Sequence, residues 1–108
     1  DYKNIFDLKS DSPYMTIACD VKRKWRSKLP STTHINNTAR VQTVSSGFNK
    51  KYYNLLKKFK KNTGLPVVLN TSFNIRGQPI VEKPIEAIST FAGSGLDHVI
   101  IGNYILSK

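Results

Sequence analysis

The chain has 108 residues, room for one small domain, and its 39% hydrophobic content supports only a modest core. Seventeen Lys and Arg against seven Asp and Glu give a formal charge of +10, which favours anionic ligands or surfaces. A single cysteine, Cys19, excludes an internal disulfide and a multi-cysteine metal site, and no apolar run of ~18 residues exists to span a membrane.

The charge is unevenly spread. From Lys22 to Lys83 there are fourteen basic residues and one acid, Glu82, whereas four of the seven acids fall in the first twenty residues. The start, Asp1-Tyr2-Lys3-Asn4, is polar and lacks the apolar core of a signal peptide. It also lacks Met, so the expectation is a domain cut from a longer polypeptide. The lone thiol fits a cytoplasmic setting.

In chain order, residues 1–13 form a leading segment ending at Ser12-Pro13. Met15, Ile17, Cys19 and Val21 alternate with Thr16, Ala18 and Asp20, the period of a half-buried strand. Lys22 to Lys28 holds five basic residues around Trp25. It reads as a solvated surface with Trp25 as a core or interface anchor, the alternative being an RNA-binding patch. His34 to Ala39 is turn-prone, and Arg40 to Val44 is predicted as a short strand. A helix is predicted over residues 49–62: Tyr52, Leu55, Leu56 and Phe59 share one face, lysines fill the other, Asn49 caps the start, and Gly64 and Pro66 stop it.

Leu65 to Asn70 is predicted as a buried strand. Thr71 to Gln78 is a loop, and Pro79 to Val81 another short strand. Pro84 opens a second helix, with Ile85, Ile88 and Phe91 expected on one face and Gly93 and Gly95 at its end. Asp97 to Asn103 gives a last buried strand and turn, and Tyr104 to Leu106 closes the chain. The order implies an α/β fold, a mixed twisted sheet with flanking helices.

Two segments can carry chemistry. Asn70, Thr71, Ser72 and Asn74 place hydroxyl and amide groups where a predicted strand ends, the usual position of ligands in α/β sheets. Arg76 adds a bidentate clamp for an anion. The plainer reading of this stretch is a polar turn with local backbone bonds. In the second segment, Arg40 stands at the start of a predicted strand, where a guanidinium can stabilise developing negative charge; an edge-strand surface arginine is the commoner case. His34 is a hydrogen-bonding or proton-shuttling candidate. No carboxylate or second histidine lies near it at metal-ligand spacing, so no metal site is expected in this chain.

Three motifs carry a family resemblance. They are Ser12-Pro13-Tyr14-Met15; Thr33-His34 leading to Thr38-Ala39-Arg40-Val41-Gln42-Thr43-Val44; and Leu69-Asn70-Thr71-Ser72-Phe73-Asn74-Ile75-Arg76-Gly77-Gln78-Pro79-Ile80-Val81. From about Ser12 to its end the chain resembles the C-terminal, YrdC-like domain of the O-carbamoyltransferases that serve nodulation factors and antibiotics. The resemblance implies a single domain over residues 1–108, the C-terminal part of a larger enzyme and an incomplete fragment of the full YrdC-like domain. It implies ATP with Mg2+ and carbamoyl phosphate as ligands, and carbamoyl adenylate as product. A Kae1-like N-terminal domain of the same enzyme would hold a further metal and pass the carbamoyl group to a hydroxyl-bearing small molecule or glycan.

Carried onto this sequence, Ser72 and Asn74 match the family's phosphate-holding Ser-x-Asn element, and Arg40 matches the arginine of its Thr-Ala-Arg motif, implied to be catalytic and to bind phosphate or carbamoyl adenylate. Asn70, His34 and Arg76 match further motif positions at the ATP and carbamoyl phosphate site. The sequence departs from the family at Asn36-Asn37, where Asp-Gly is frequent, and at Gln78, where Glu is common. The family's Lys-x-Arg element is expected upstream of Asp1; Lys24-Trp25-Arg26 has that spelling in the wrong place. The fragment alone is therefore expected to bind nucleotide weakly and not to turn over. The alternative function is a basic RNA-binding module of the same fold without catalysis, with nucleic acid the less favoured partner and no membrane partner expected.

Overall fold

The computed structural model describes residues 1–108. It divides into two compact units, Asp1–Leu69 and Asn70–Lys108. Helices and strands are mixed in α/β fashion, as the sequence order implies, and the strands form two separate two-stranded antiparallel ladders.

In the first unit, β1 (Ile17–Asp20) pairs with β2 (Thr38–Val41), Ile17 opposite Val41 and Asp20 opposite Thr38. The strand predicted from Met15 begins two residues later because Met15 adopts φ +56°, a left-handed conformation that cannot continue an extended chain. The leading segment folds back on β1. Phe6 bridges Val21, the Asp7 amide donates to the Asp20 carbonyl at 2.8 Å, and the Lys22 amide donates to the Ile5 carbonyl at 2.9 Å. These bonds bring Ile5, Phe6 and Leu8 onto Val21, Leu29, Ala39 and Val41, which together form the core of the unit.

Trp25 sits half-buried against that core, its indole N–H donating to the Asn4 carbonyl at 2.9 Å. The Lys24 and Lys28 ammonium groups lie 6.0 and 5.2 Å from its ring centroid, so the basic cluster is organised around an anchored aromatic. Part of that cluster forms α1 (Arg23–Arg26), a single turn too short for periodicity to reveal.

The first long helix, α2 (Lys50–Thr63), lies within one residue of its predicted bounds. Asn49 Oδ1 accepts the Tyr52 amide at 3.0 Å, and Gly64 ends the helix at φ +78°, where a Cβ would be strained. Replacing Asn49 with alanine removes that acceptor and is expected to cost about 1 kcal/mol, read as a lower urea midpoint with loss of helical ellipticity. No residue of α2 is buried, and Leu55 and Phe59 of its apolar stripe are exposed.

The buried strand predicted over Leu65–Asn70 does not form. Residues 65–68 are half-buried, Val67 packs on the core of the first unit, and Leu69 and Asn70 are exposed. An extended run becomes a strand only beside a partner ladder, and here there is none; Pro66 also lacks a backbone donor.

In the second unit, α3 (Pro84–Ala92) starts with proline at its first position, as predicted, and Glu86 Oε2 accepts the amides of Glu82 and Lys83 at 3.1 and 3.2 Å. It packs against β3 (His98–Ile101) of the hairpin that β3 forms with β4 (Tyr104–Ser107), and its Ala87, Thr90 and Phe91 are buried. The expected grouping of Ile85 and Ile88 with Phe91 fails. Residues 87, 90 and 91 take the inner side of the short helix, leaving Ile85 and Ile88 exposed. The hairpin turns at Gly102-Asn103, with Gly102 at φ +62° in the position a II′ turn reserves for glycine. The short strand predicted at Pro79–Val81 reduces to one bond, the Val81 amide donating to the Phe73 carbonyl at 3.0 Å.

Candidate functional site

Alternation along β2 sends Ala39 and Val41 into the core and leaves Arg40 exposed on the other face, opposite Ala18. Thr38, two residues earlier, shares Arg40's face, as does its cross-strand partner Asp20. The guanidinium is engaged in no ion pair among the described residues, so its charge is available to a ligand.

The turn before β2 is tightly closed. The His34 amide donates to the Thr38 carbonyl and the Asn37 amide to the His34 carbonyl, each at 2.8 Å, while Asn37 takes φ +65°, which asparagine tolerates better than most residues. Asn36 Oδ1 accepts both the Thr38 amide at 3.2 Å and the Thr38 hydroxyl at 2.8 Å. The Thr38 proton is thereby committed to Asn36, so Thr38 Oγ1 acts as acceptor toward His34 Nδ1 at 3.0 Å. This pattern calls for a proton on Nδ1; in the tautomer that carries it there, Nε2 is the acceptor nitrogen. His34, Thr38 and Arg40 thus form one ordered polar face in the first unit. Thr38 is the member that residue chemistry alone did not single out; its spacing of two from Arg40 on a strand is the signal that finds it.

The second predicted segment is a self-closed loop in the second unit. The Gln78 amide donates to the Ile75 carbonyl at 2.9 Å, and Gly77, at φ +86°, fills the turn position that type II geometry reserves for glycine, with Arg76 at the exposed corner. Asn74 Nδ2 donates to the carbonyls of Gln78 at 2.9 Å and Ile75 at 3.3 Å. Both acceptors are carbonyl oxygens, so the amide nitrogen must face them and is not free to donate to a phosphate in this conformation. Asn74 here staples the loop. Asn70, Ser72 and Arg76 are exposed along it. The six predicted residues therefore fall into two sets, His34 and Arg40 in one unit, and Asn70, Ser72, Asn74 and Arg76 in the other.

The first unit also contains a cleft of about 560 Å³, lined by residues including Tyr2, Gln42, Phe48, Tyr53 and Lys57, and by none of the six. Its rim holds the Tyr2 hydroxyl, which donates to Asp11 Oδ1 at 2.6 Å, and the Lys60–Asp1 pair at 2.8 Å. The Tyr2 hydroxyl is held above the usual phenol range by that hydrogen bond, then by burial and the Asp11 charge. Within each of these two pairs the polar groups satisfy one another.

Cys19 offers no ready nucleophile. Burial, then the Asp20 and Asp7 charges, push its thiol above the ordinary range. Its alkylation at pH 8 is expected to be slower than that of a small free thiol, and the rate should keep rising at pH values where the free thiol has levelled off. The sign of the linkage follows: the unfolded thiol ionises first, so the contribution of Cys19 to stability is fully present below its unfolded pKa and is lost as pH rises through the folded one.

No group of three or more His, Cys, Asp or Glu side chains among the described residues is placed to hold a metal. No helix is long and apolar enough to cross a membrane.

Comparison with known proteins agrees with the motif arrangement. Residues 1–108 match the family described as Carbamoyltransferase C-terminus. The chain is 38% identical over 102 residues, 94% of its own length, to nodulation protein NolNO of Sinorhizobium fredii. It is 37% identical over 111 residues, its full length, to nodulation protein NolO of Bradyrhizobium diazoefficiens. It is 41% identical over 106 residues, 98% of its length, to the uncharacterized protein MJ1058 of Methanocaldococcus jannaschii. The matched region spans 15%, 20% and 17% of those three proteins, respectively. With its whole length matched and its motifs in order, the chain belongs to the carbamoyltransferase C-terminus family.

Proposed function

We propose that this chain supplies part of the ATP and carbamoyl phosphate site of a cytoplasmic O-carbamoyltransferase. In the proposed sequence, carbamoyl phosphate is hydrolysed to carbamate and phosphate. A carbamate oxygen then attacks the α-phosphorus of ATP, forming carbamoyl adenylate and releasing pyrophosphate. The carbamoyl group passes to a hydroxyl acceptor held elsewhere in the full-length polypeptide, with AMP and a proton released.

The observation that carries this reading is the unpaired Arg40 guanidinium on the open face of β2, beside the closed His34–Thr38 turn. Attack at the α-phosphorus builds negative charge on its oxygens, and a fixed guanidinium stabilises that charge as it develops. His34 Nε2, free in the Nδ1-protonated ring, is suited to accept a hydrogen bond from the carbamoyl amide. Ser72 and Arg76 supply a hydroxyl and a guanidinium for phosphate oxygens, Asn70 opens the same motif, and Asn74 sets the shape of their loop. Mg2+ would be held chiefly by the nucleotide phosphates, where it would offset their charge.

The test is release of pyrophosphate from ATP by the full-length polypeptide. Release that depends on carbamoyl phosphate supports the reading, and release independent of it, or none, overturns it. The lysine-rich exposed side of α2 favours a second reading, binding of RNA. Titration at two salt concentrations separates the two, because contacts to a phosphate backbone weaken steeply with salt.

A further inference from the structure

The β3–β4 ladder has two unlike faces. Val99 is buried on the side that packs against α3, and the alternation of a strand puts its neighbour Ile100 on the other side. Ile100 pairs directly with Ile105, and the two are 70% and 64% exposed. At the end of the same face His98 pairs with Ser107, and their side chains meet at 2.9 Å. That imidazole–hydroxyl pair is the polar end of the face, and Ile100 and Ile105 form its apolar part.

In a chain of net charge +10, residues 98–107 contain no Asp, Glu, Lys or Arg. A nucleic acid or an acidic protein finds no lysine or arginine of the ladder to pair with on this face. A two-stranded hairpin is marginal by itself, and a unit of this size is near the ~40-residue limit below which a domain needs outside support. Helix on one face and bare isoleucines on the other describe a layered α/β structure with one layer missing.

We propose that the face of the β3–β4 ladder opposite α3, centred on Ile100 and Ile105, is covered by the part of the same polypeptide that precedes this region. The chain accounts for only 15% to 20% of the length of the relatives compared above, and its family is a C-terminal one, so most of the protein lies before it. A segment of it would be tethered to this face at high effective concentration. The inference rests on family membership alone and is independent of the adenylate chemistry.

The experiment places photoreactive p-benzoylphenylalanine at Ile105, and separately at Ile100, in the full-length polypeptide. Unlabelled and isotope-labelled populations are mixed before irradiation. The expected product is an intramolecular cross-link from either position to a peptide that precedes this chain. Cross-links between labelled and unlabelled copies would overturn the proposal in favour of a second copy on this face, and the absence of any cross-link would overturn it in favour of an open surface. The readout does not depend on ATP turnover, so failure here and failure of the proposed reaction are distinguishable.

Discussion

Arg40→Ala in the full-length protein is expected to lower the rate of carbamoyl-phosphate-dependent pyrophosphate release by roughly 10²–10³-fold, the range for losing one fixed donor to developing charge. The unfolding midpoint should hardly change, because Arg40 is exposed, contributes nothing to the core and breaks no ion pair when removed. Arg40→Lys should recover little. A lysine keeps the charge but loses the planar fork that grips two oxygens at once. Stopped-time pyrophosphate assays alongside urea melts give both numbers from the same preparations. Full activity in Arg40→Ala would remove the central residue from the proposed mechanism.

Ile5→Ala is expected to show the largest loss of stability, about 3 kcal/mol, within the range for deleting a buried aliphatic side chain. Ile5 is 1% exposed and lies against Val21, itself fully buried, at the centre of the core of the first unit. That core is small, and its contacts are held in register by the Lys22 amide bonding to the Ile5 carbonyl, so the surroundings have little freedom to collapse into the void. Typical domains are stable by only 5–15 kcal/mol, so the substitution consumes a large fraction of the total. Urea denaturation of the 108-residue chain measures it. A loss under 1 kcal/mol would mean that the leading segment is not part of the cooperative unit.

How much was legible in the sequence follows from length and from partners. The helix α2 could be read because fourteen residues, an asparagine cap and a glycine stop all agree. The strands β1 and β2 could be read, to within two residues at their N-terminal ends, because their alternation is local. Leu65–Asn70 looked the same in composition but remained a half-exposed strip, since a strand is defined by a neighbour that sequence alone does not display. The single turn α1 was too short to show a period.

The candidate site divides in the same way. Arg40 is singled out by its motif, and its exposure follows from buried neighbours on either side. The role of Asn74 could not be read, because its amide donors are taken by carbonyls that only the folded loop brings near. The proton on His34 Nδ1 likewise depends on a chain of bonds through Thr38 to Asn36.

The central claim is that the Arg40 guanidinium engages a phosphate of the nucleotide. ATP affinity measured by calorimetry in the full-length protein and in its Arg40→Ala variant tests it most directly. The account predicts a loss of about tenfold or more, as for a charge-assisted hydrogen bond, with the urea midpoint unchanged. Equal affinity in the two proteins would contradict it.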